Sequence, residues 1–394
     1  MSHRFIFIFT VIATFALFVS GCSTAPPKAR VPSQVRPAAP PATAPDAPAH
    51  VLRPEVFADI PGWSADSFTQ AWPAFMQSCT VLKNRPQWRN VCILADRVNE
   101  KDERAIRAFI EKNLSPVQIL TSDGTETGMI TGYYEPLLRG SYKKSARFKT
   151  ALYGVPPDLI TVDLAGVYPQ LQGMRLRGRL DGKRLRPYPA RQELRVSNHL
   201  KGQELVWVDC PVEAFFLQVQ GSGRVRIEET GKIVRIAYGE QNGHPYRSIG
   251  RYLVDKGELP LEAVSAQRIK KWLDDNPGRL NEVLDHNPSF VFFRKEVLKD
   301  PRIGPNGAMG VPLTAKRSVA TDPRYIPLGT PLFIDTTEPN SSRPLRQLVM
   351  AQDTGGAIKG VLRLDYFWGF GDQAGELAGR MKQPIRVWML QPKK

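Results

Sequence analysis

Two aspartates near the C-terminus are the residues best suited to transfer protons. Asp353 and Asp365 lie in a glycine-rich stretch at residues 351–375, AQDTGGAIKGVLRLDYFWGFGDQAG. Each ends a short apolar run, so we expect each at the end of a strand beside flexible backbone. Carboxyl groups in that setting suit acid–base catalysis on a bound polymer. Composition alone also fits an alternative, in which Asp353 caps a turn and Asp365 is a solvated loop acid.

Other kinds of chemistry have little support in the sequence. Ser222 lies in QGSG (220–223) and not in the GxSxG of a nucleophile elbow. The chain has no Walker loop and no dinucleotide fingerprint. It also has no CxxC pair, and its five histidines show no ligand spacing. We therefore expect no metal site and no cofactor.

Short strands and interspersed helices must position the two aspartates. Apolar residues at helical spacing, together with stop signals, predict helices at residues 67–83, 99–113, 246–256, 262–275 and 372–381. Apolar runs and alternation predict strands at 129–134, 206–208, 224–228, 233–238, 290–293, 332–335, 347–352 and 385–390. Residues 137–195 are basic and rich in Gly and Pro. The pattern favours a strand-heavy architecture over a helical bundle.

The N-terminal residues indicate export. Arg4 precedes an apolar run over residues 5–19, and Ser-Gly-Cys follows at 20–22. This order is typical of a signal peptide and is too short for a stable transmembrane helix. Because the ending resembles the bacterial lipobox, we expect residues 1–21 to be removed and Cys22 to carry lipid. The alternative is an ordinary signal peptide with a coincidental cysteine. Residues 22–54, rich in Pro and Ala, predict an extended tether.

The charge of the chain indicates an acidic partner. Its 394 residues include 54 Lys and Arg against 38 Asp and Glu, a net charge of +16. Such an excess suits an anionic polymer, a membrane surface or nucleic acid. Export argues against nucleic acid, so we expect no nucleic-acid partner.

Three cysteines remain after Cys22. An oxidising compartment permits a disulfide between Cys79 and Cys92. The alternative is two unrelated buried thiols. Cys210 is expected to be unpaired and buried as a small hydrophobic residue.

Six motifs in collinear order resemble one known family, the membrane-bound lytic transglycosylase A family. They are GYYEP (132–136), RPYPAR (186–191), FFLQVQGSGRV (215–225), YGEQNGHPYRSIG (238–250), NPSFVFFR (287–294) and a C-terminal pair of segments (318–336 and 352–369). The C-terminal pair resembles the domain named for three aspartates, here Asp322, Asp353 and Asp365. The matches run from about residue 60 to residue 390.

The resemblance implies a fold. It is mainly β with short helices, a double-psi β-barrel domain that carries a second, inserted β-rich domain, with a groove between the two. On this chain the barrel domain would comprise residues 55–136 and 288–394, and the inserted substrate-binding domain would comprise residues 137–287.

The resemblance also implies an activity. The family cleaves the β-1,4 bond between N-acetylmuramic acid and N-acetylglucosamine in peptidoglycan, and it forms 1,6-anhydromuramic ends without consuming water. Asp365 matches the catalytic aspartate, which acts as general acid and then as base. To begin as an acid it needs a pKa raised by burial or by a nearby negative charge. Asp353 is expected to support it, and Asp322 is expected to cap a turn.

Glycan-binding residues are expected at one strand end and at a turn opposite it. The candidates are Tyr133, Tyr134, Glu135, Gln218, Gln220, Gly221, Ser222 and Gly223, with the two glycines letting the backbone approach the sugar. Tyr366, Phe367 and Trp368 could stack on sugar, but such a cluster is more often core.

The expected partners are peptidoglycan glycan strands and the membrane, reached through the N-terminal lipid at the periplasmic side of the outer membrane. Cell-wall synthesis or division complexes are further candidates. Two other functions stay open, a hydrolase that uses Asp365 with a second carboxylate and water, and a wall-binding lipoprotein without catalysis.

Overall fold

Strands and short helices alternate along the chain. The computed structural model describes residues 50–298 and 300–393, so Cys22, the signal peptide and residues 22–49 of the tether lie outside the described residues. The strands are β1 (His50–Pro54), β2 (Leu114–Thr121), β3 (Gly128–Glu135), β4 (Leu137–Ser141), β5 (Thr150–Tyr153), β6 (Ile160–Thr161), β7 (Arg177–Asp181), β8 (Arg184–Pro187), β9 (Glu204–Val208), β10 (Gly223–Ile227), β11 (Ile233–Gln241), β12 (Val291–Glu296), β13 (Ser318–Ala320), β14 (Pro331–Thr337), β15 (Pro344–Asp353), β16 (Arg363–Phe370) and β17 (Lys382–Pro392). The helices are α1 (Phe68–Leu82), α2 (Pro86–Ala95), α3 (Glu103–Asn113), α4 (Arg191–Val196), α5 (Pro211–Gln220), α6 (Ile249–Asp255), α7 (Ala266–Asp275), α8 (Leu280–Asp285) and α9 (Asp372–Arg380).

Six strands close into a barrel. Their order is β17, β14, β15, β13, β16 and β3, and β3 pairs again with β17. The long strand β17 makes this closure because residues 382–385 pair with β3 while residues 386–389 pair with β14. The barrel mixes parallel pairs (β13 with β15, β16 with β3) with antiparallel ones. The mainly β fold that the sequence predicts is confirmed.

A second sheet of six strands lies between β3 and β13 in the sequence. Its order is β12, β11, β10, β4, β9 and β5. Gly154, next to the end of β5, forms a bridge with Phe293 of β12, so this sheet also nearly closes on itself. A small three-stranded sheet of β6, β7 and β8 accompanies it.

Two apolar clusters support the barrel. One fills its interior and includes Ile130, Val319, Leu332, Val349, Leu364 and Val387, all without accessible surface. The other packs α1, α2 and α3 against strands β14, β15 and β17. Cys79 of α1 and Cys92 of α2 are joined by a disulfide, with 5.3 Å between their Cα atoms. Cys210 is free and half-buried. Among the described residues, no helix has the length and the apolar character needed to cross a bilayer.

The structure corrects several expectations. Residues 50–54 are not part of the tether, because they form β1 and pair with β2. Asp353 does end a strand, but Asp365 lies inside β16, since the aromatic run after it continues the strand. The basic segment 137–195 contains short strands and α4. Four helices, α2, α4, α5 and α8, lie outside the predicted ranges.

The sequence of α5 explains why no helix is predicted there. Its sequence, PVEAFFLQVQ, is apolar on nearly every side, so no helical periodicity is visible. In the structure it lies between two cores: Val212 and Phe215 belong to one cluster, and Ala214 and Leu217 belong to another. Burial on both sides therefore explains the absence of a polar face.

Candidate active site

Alternate residues of β3 face the same side and meet the acidic residues. Side chains of a strand alternate between its two faces, so Thr131, Tyr133 and Glu135 share one face and Tyr134 takes the other. The hydroxyl of Thr131 donates to Asp365 Oδ1 at 2.6 Å, and the hydroxyl of Tyr133 donates to Asp353 Oδ2 at 3.0 Å. One strand thus holds both carboxyl groups.

Asp365 is a half-buried carboxyl with an unusual pKa. Burial raises this pKa to about 6 with a smaller contribution from the charge of Asp353, although the Thr131 hydrogen bond and the Arg363 charge lower it. Protein atoms crowd the carboxyl enough to remove most of its hydration, although its side chain keeps some accessible surface. Its Oδ2 accepts no hydrogen bond from the described residues. A carboxyl with a pKa of about 6 keeps its proton in weakly acidic solution, and its uncommitted oxygen can then act as a general acid.

Asp353 is held more firmly. Its Oδ1 accepts from the backbone N–H groups of Ala308 and Thr354, both at 2.9 Å, in addition to the Tyr133 hydroxyl on Oδ2. Burial raises the pKa of Asp353, while these hydrogen bonds and the charge of Arg175 oppose the rise. Both oxygens are therefore committed to the protein, which suits a supporting group.

The barrel places the two aspartates on either side of one short strand. Ala320 of β13 is the register partner of Asp353 on β15 and of Asp365 on β16. Since neighbouring strands lie about 4.8 Å apart, the two aspartate backbones lie about 10 Å apart on the same face. A charge on Asp353 therefore acts on Asp365 through space and not through a shared hydrogen bond.

The third aspartate of the motif holds a turn. Asp322 is 1% exposed, and its carboxylate accepts from the Arg324 guanidinium and from the backbone N–H groups of Arg324 and Gly360. Although burial acts to raise it, these hydrogen bonds hold the pKa of Asp322 below its usual value. Asp322 therefore ties the turn after β13 to the glycine-rich loop before β16.

Comparison with known proteins identifies the family to which this arrangement belongs. The family described as the MltA specific insert domain matches residues 129–294, and the family described as the 3D domain matches residues 317–391. Membrane-bound lytic murein transglycosylase A of Escherichia coli K12 is 32% identical over 296 residues, which cover 73% of this chain and 72% of that protein. The chain belongs to the membrane-bound lytic murein transglycosylase A family.

Solved structures of this transglycosylase family share the fold. MltA from Neisseria gonorrhoeae, in its monoclinic form, is 38% identical, with a TM-score of 0.75 over 90% of this chain and 97% of that chain. Escherichia coli MltA with bound chitohexaose is 25% identical, with a TM-score of 0.65 over 90% of this chain and 95% of that chain. The relatives carry an enzyme's name, so the family is one of murein-cleaving enzymes.

Glu135 does not have the glycan-binding place that its position at the end of β3 predicts. Its side chain has no accessible surface, and its carboxylate binds Arg224 at 2.7 Å and Arg235 at 2.6 Å. Both arginines are also buried, on β10 and β11 of the second sheet. Glu135 therefore cannot contact a glycan directly, and it joins the barrel strand β3 to the second sheet.

The two glutamines of α5 also form hydrogen bonds within the protein. Gln218 is buried and accepts from Arg191 at 2.6 Å, whereas Gln220 accepts from the backbone N–H of Tyr134 at 2.9 Å. Gln220 keeps its Nε2 without a partner among the described residues. Of these two glutamines, Gln220 is thus the one that retains a group to offer a ligand beside β3.

The structure explains why glycine stands at two positions of the turn QGSG. Gly221 ends α5 with a φ of +82°, a conformation that favours glycine. A Cβ on Gly223 would lie 2.6 Å from Leu217 and 3.2 Å from Pro136, so the close approach that Gly223 permits is to the protein and not to a sugar. Ser222 between them is buried.

The aromatic run after Asp365 belongs to the core. Tyr366, Phe367 and Trp368 are all buried, and Tyr366 donates to the carbonyl of Lys316 at 2.8 Å. Of the tyrosines on β3, Tyr133 is buried against Phe367, and Tyr134 is half-buried against Gly375 of α9. Half-buried Tyr134 is therefore the aromatic candidate that keeps accessible surface.

Two residues of the site, Thr131 and Arg363, belong to no candidate set predicted from the sequence. Thr131 and Arg363 contact each other and hold Asp365, as Arg363 donates to the Thr131 hydroxyl at 2.8 Å. Period-two spacing could have indicated both, because Thr131 lies two residues before Tyr133 and Arg363 lies two residues before Asp365. Among the residues that the structure describes, no cluster of His, Cys, Asp or Glu could hold a metal ion.

Proposed function

We propose that this chain is a lytic transglycosylase of peptidoglycan, with Asp365 as its single acid–base residue. The observation that carries the proposal is the half-buried Asp365 carboxyl, with Oδ1 held by Thr131, Oδ2 uncommitted, and a pKa of about 6. The name of the Escherichia coli relative, lytic murein transglycosylase A, supports the substrate. The target bond is the β-1,4 bond between N-acetylmuramic acid and N-acetylglucosamine.

The reaction needs two proton transfers by the same carboxyl. First, Asp365 donates its proton to the glycosidic oxygen, and the bond from that oxygen to C1 of the muramic residue breaks with its electron pair on the oxygen. Second, the resulting carboxylate takes the proton of the muramic C6 hydroxyl while O6 bonds to C1. The product is a 1,6-anhydro ring, no water is consumed, and Asp365 recovers its proton.

Asp353 supports this cycle by its charge. Its carboxylate is stabilised by three hydrogen bonds, and its negative charge favours the protonated form of Asp365. Because Asp353 has both oxygens committed and lies across β13, it is a supporting group and not the proton donor.

The substrate is expected to lie against the accessible side of Asp365. Chitohexaose is the ligand of the Escherichia coli relative, and it shows that a β-1,4-linked amino-sugar chain fits that protein. On this chain the free amide of Gln220 and the ring of Tyr134 are the candidates for glycan contacts. The net charge of +16 suits a wall polymer with carboxylates on its peptide stems.

The proposal includes a lipid anchor. With Cys22 lipidated, the enzyme would work from the periplasmic side of the outer membrane, and residues 23–49 would connect the anchor to β1. The family name, membrane-bound, supports attachment to a membrane.

Mass spectrometry of digested peptidoglycan tests the proposal. Asp365→Asn keeps the size of the side chain but cannot carry the proton, so we expect anhydromuramic ends to fall by at least about 10³-fold. Asp353→Asn should reduce the rate less, and it should move the alkaline limb of the pH–rate profile to lower pH, because loss of a negative neighbour lowers the pKa of Asp365.

Three results would contradict the assignment. Reducing ends in place of anhydro ends would mean hydrolysis. Binding of peptidoglycan without cleavage by the wild-type protein would mean a wall-binding lipoprotein. Abolition of activity by Asp353→Asn, with Asp365→Asn still active, would move the proton donor to Asp353.

A further inference from the structure

Arg363 contacts Asp365 indirectly, through one hydroxyl group. Arg363 and Asp365 lie two residues apart on β16, so their side chains share a face of the strand. Arg363 Nη2 donates to Thr131 Oγ1 at 2.8 Å, and Thr131 Oγ1 lies 2.6 Å from Asp365 Oδ1. Arg363 also donates to the carbonyl oxygen of Leu364, which holds the guanidinium against its own strand.

The proton inventory of these groups gives the contacts a direction. A threonine hydroxyl has one proton and two lone pairs, whereas a guanidinium has donors and no acceptor. The contact between Arg363 and Thr131 must therefore use a lone pair of the hydroxyl oxygen. The single hydroxyl proton is then free to point at Asp365 Oδ1, its only acceptor among the described residues.

We propose that Arg363 is a positioning residue that orients the Thr131 hydroxyl, reserves Oδ1 of Asp365 as a hydrogen-bond acceptor, and so keeps the transferable proton on Oδ2. The inference rests on the proposed function of Asp365. If the hydroxyl reversed, Oδ1 could carry the proton. The hydroxyl proton would then lose its carboxylate acceptor, and Oδ2 would be the bare oxygen.

Arg363, the Thr131 hydroxyl and Asp365 Oδ1 form a hydrogen-bond relay, and its direction serves both steps of the reaction. In the first step the Oδ2–H bond breaks and its proton goes to the glycosidic oxygen. In the second step Oδ2 takes the proton of the C6 hydroxyl, while Thr131 continues to donate to Oδ1 and stabilises the carboxylate. The same oxygen thus gives and receives the proton without a rotation of the carboxyl group.

Other charged groups also face Asp365, and their effects on its pKa must be distinguished from the effect of the hydrogen-bond relay. Arg363 lowers the pKa of Asp365 by its charge, and Asp353 raises it. Tyr133, next on the same face of β3, donates to Asp353, and Lys382 of β17 is the exposed register partner of Thr131. Strand β13 contributes only Ala320 at this level. Removing Arg363 therefore has two effects, a change in the pKa of Asp365 and a loss of hydroxyl orientation.

A double-mutant cycle separates the two effects. The variants are Arg363→Met, Thr131→Val, the double variant, and Arg363→Lys, which keeps a donor. Arg386→Met is the matched control, because Arg386 lies on barrel strand β17 and pairs with Asp335, with no contact to Asp365. Thr131→Ser keeps the hydroxyl and checks that position 131 tolerates replacement.

The relay predicts a specific pattern of rates. Arg363→Met should lower kcat at the pH optimum about fivefold, the size of one hydrogen bond, with KM unchanged. In the Thr131→Val background it should lower kcat no further, since there is no hydroxyl to orient. The alkaline limb should move to higher pH in both backgrounds, because the charge is lost in both. Arg363→Lys should restore kcat to within about twofold.

Other patterns would overturn the inference. An equal fall of kcat with and without the Thr131 hydroxyl would exclude a relay through that hydroxyl. A fall in kcat no larger than that of Arg386→Met, with the same loss of thermal stability, would make Arg363 merely structural.

A titration without substrate distinguishes this inference from the proposed function. The Asp365 carboxyl carbon, followed by NMR, should show a higher pKa in Arg363→Met and in Thr131→Val. If it does, but anhydro ends form in Asp365→Asn, the proposed function fails while the hydrogen-bond relay stands. If anhydro ends require Asp365 but Arg363→Met changes neither titration nor kcat, the inference alone fails.

Discussion

At the scale of single residues, two acidic side chains of the barrel, Asp365 and Asp322, have pKa values shifted in opposite directions. Asp365 has one hydroxyl donor, so burial dominates and its pKa rises to about 6. Asp322 has a guanidinium and two backbone donors, so its pKa falls although burial opposes the fall. Burial therefore dominates at Asp365, whereas the Arg324 guanidinium and the backbone donors bound directly to Asp322 outweigh burial there.

Asp365→Asn should stabilise the protein at alkaline pH. The pKa of Asp365 is higher in the folded than in the unfolded chain, so its favourable contribution is complete below the unfolded pKa and is lost as pH rises through about 6. The variant has no carboxylate to ionise. We expect its free energy of unfolding to exceed that of the wild type by on the order of 2 kcal/mol at pH 8.

Urea unfolding at several pH values checks this expectation. The advantage of Asp365→Asn should shrink as pH falls from about 6 towards 4, because the wild-type carboxyl then becomes neutral in the folded state. Asp322→Asn should change the free energy of unfolding in the opposite direction. Because the pKa of Asp322 is lowered in the folded chain, its carboxylate stabilises the wild type at high pH, so this variant should be less stable than the wild type at pH 8. A destabilised Asp365→Asn at pH 8 would mean that burial does not raise the pKa of Asp365.

At the scale of elements, β3 is the strand on which the site depends. Its alternate residues bind Asp365, Asp353 and the arginine pair of the second sheet in succession. The guanidinium of Arg224 also lies over the ring of Phe370, 3.7 Å from its centroid, at the end of β16. The Glu135 cluster thus connects β3, β16, β10 and β11 where the barrel meets the second sheet.

Glu135→Gln should therefore destabilise the fold strongly. It leaves Arg224 and Arg235 buried without a counter-ion, and breaking a buried pair costs about 3–5 kcal/mol. Chemical unfolding of the purified variant measures the loss. Asp255→Asn is the control, because Asp255 and Arg251 form an exposed helical pair that should contribute under about 0.5 kcal/mol. Similar losses in the two variants would show that the buried cluster does not stabilise the junction.

At the scale of the whole molecule, the proposed anchor residue precedes the described fold in the sequence. The described chain begins at β1, which adds to the outer edge of β2, while the catalytic candidates lie on β15 and β16. The expected anchor, Cys22, is separated from β1 by residues 23–49. Attachment and catalysis should therefore be separable.

Cys22→Ala tests this separation. If lipid on Cys22 is the anchor, the variant should move from the membrane fraction to the soluble periplasmic fraction. Its release of anhydromuropeptides from isolated peptidoglycan should remain close to that of the wild type, since no described residue of the site depends on the anchor. Fractionation followed by immunoblotting measures the distribution, with Cys210→Ala as the control. Membrane attachment of Cys22→Ala would show that another feature anchors the protein.

The sequence by itself determined the features that depend on local order. Helical spacing located α1, α3, α7 and α9, and the apolar runs located most barrel strands, because these patterns follow from the periods of single elements. The motif order indicated the family and the mainly β fold. It also singled out Asp353 and Asp365, since their neighbours in the chain carry the signature.

Only the tertiary structure decided which side chains meet. Thr131 and Asp365 are 234 residues apart, and Glu135 and Arg224 are 89 residues apart. A strand period tells which residues share a face, but it does not tell which distant strand lies opposite that face. For the same reason the helical state of α5, the packing role of Gly223 and the burial of Glu135 were not visible in the sequence. Each depends on contacts that form only when the barrel and the second sheet come together.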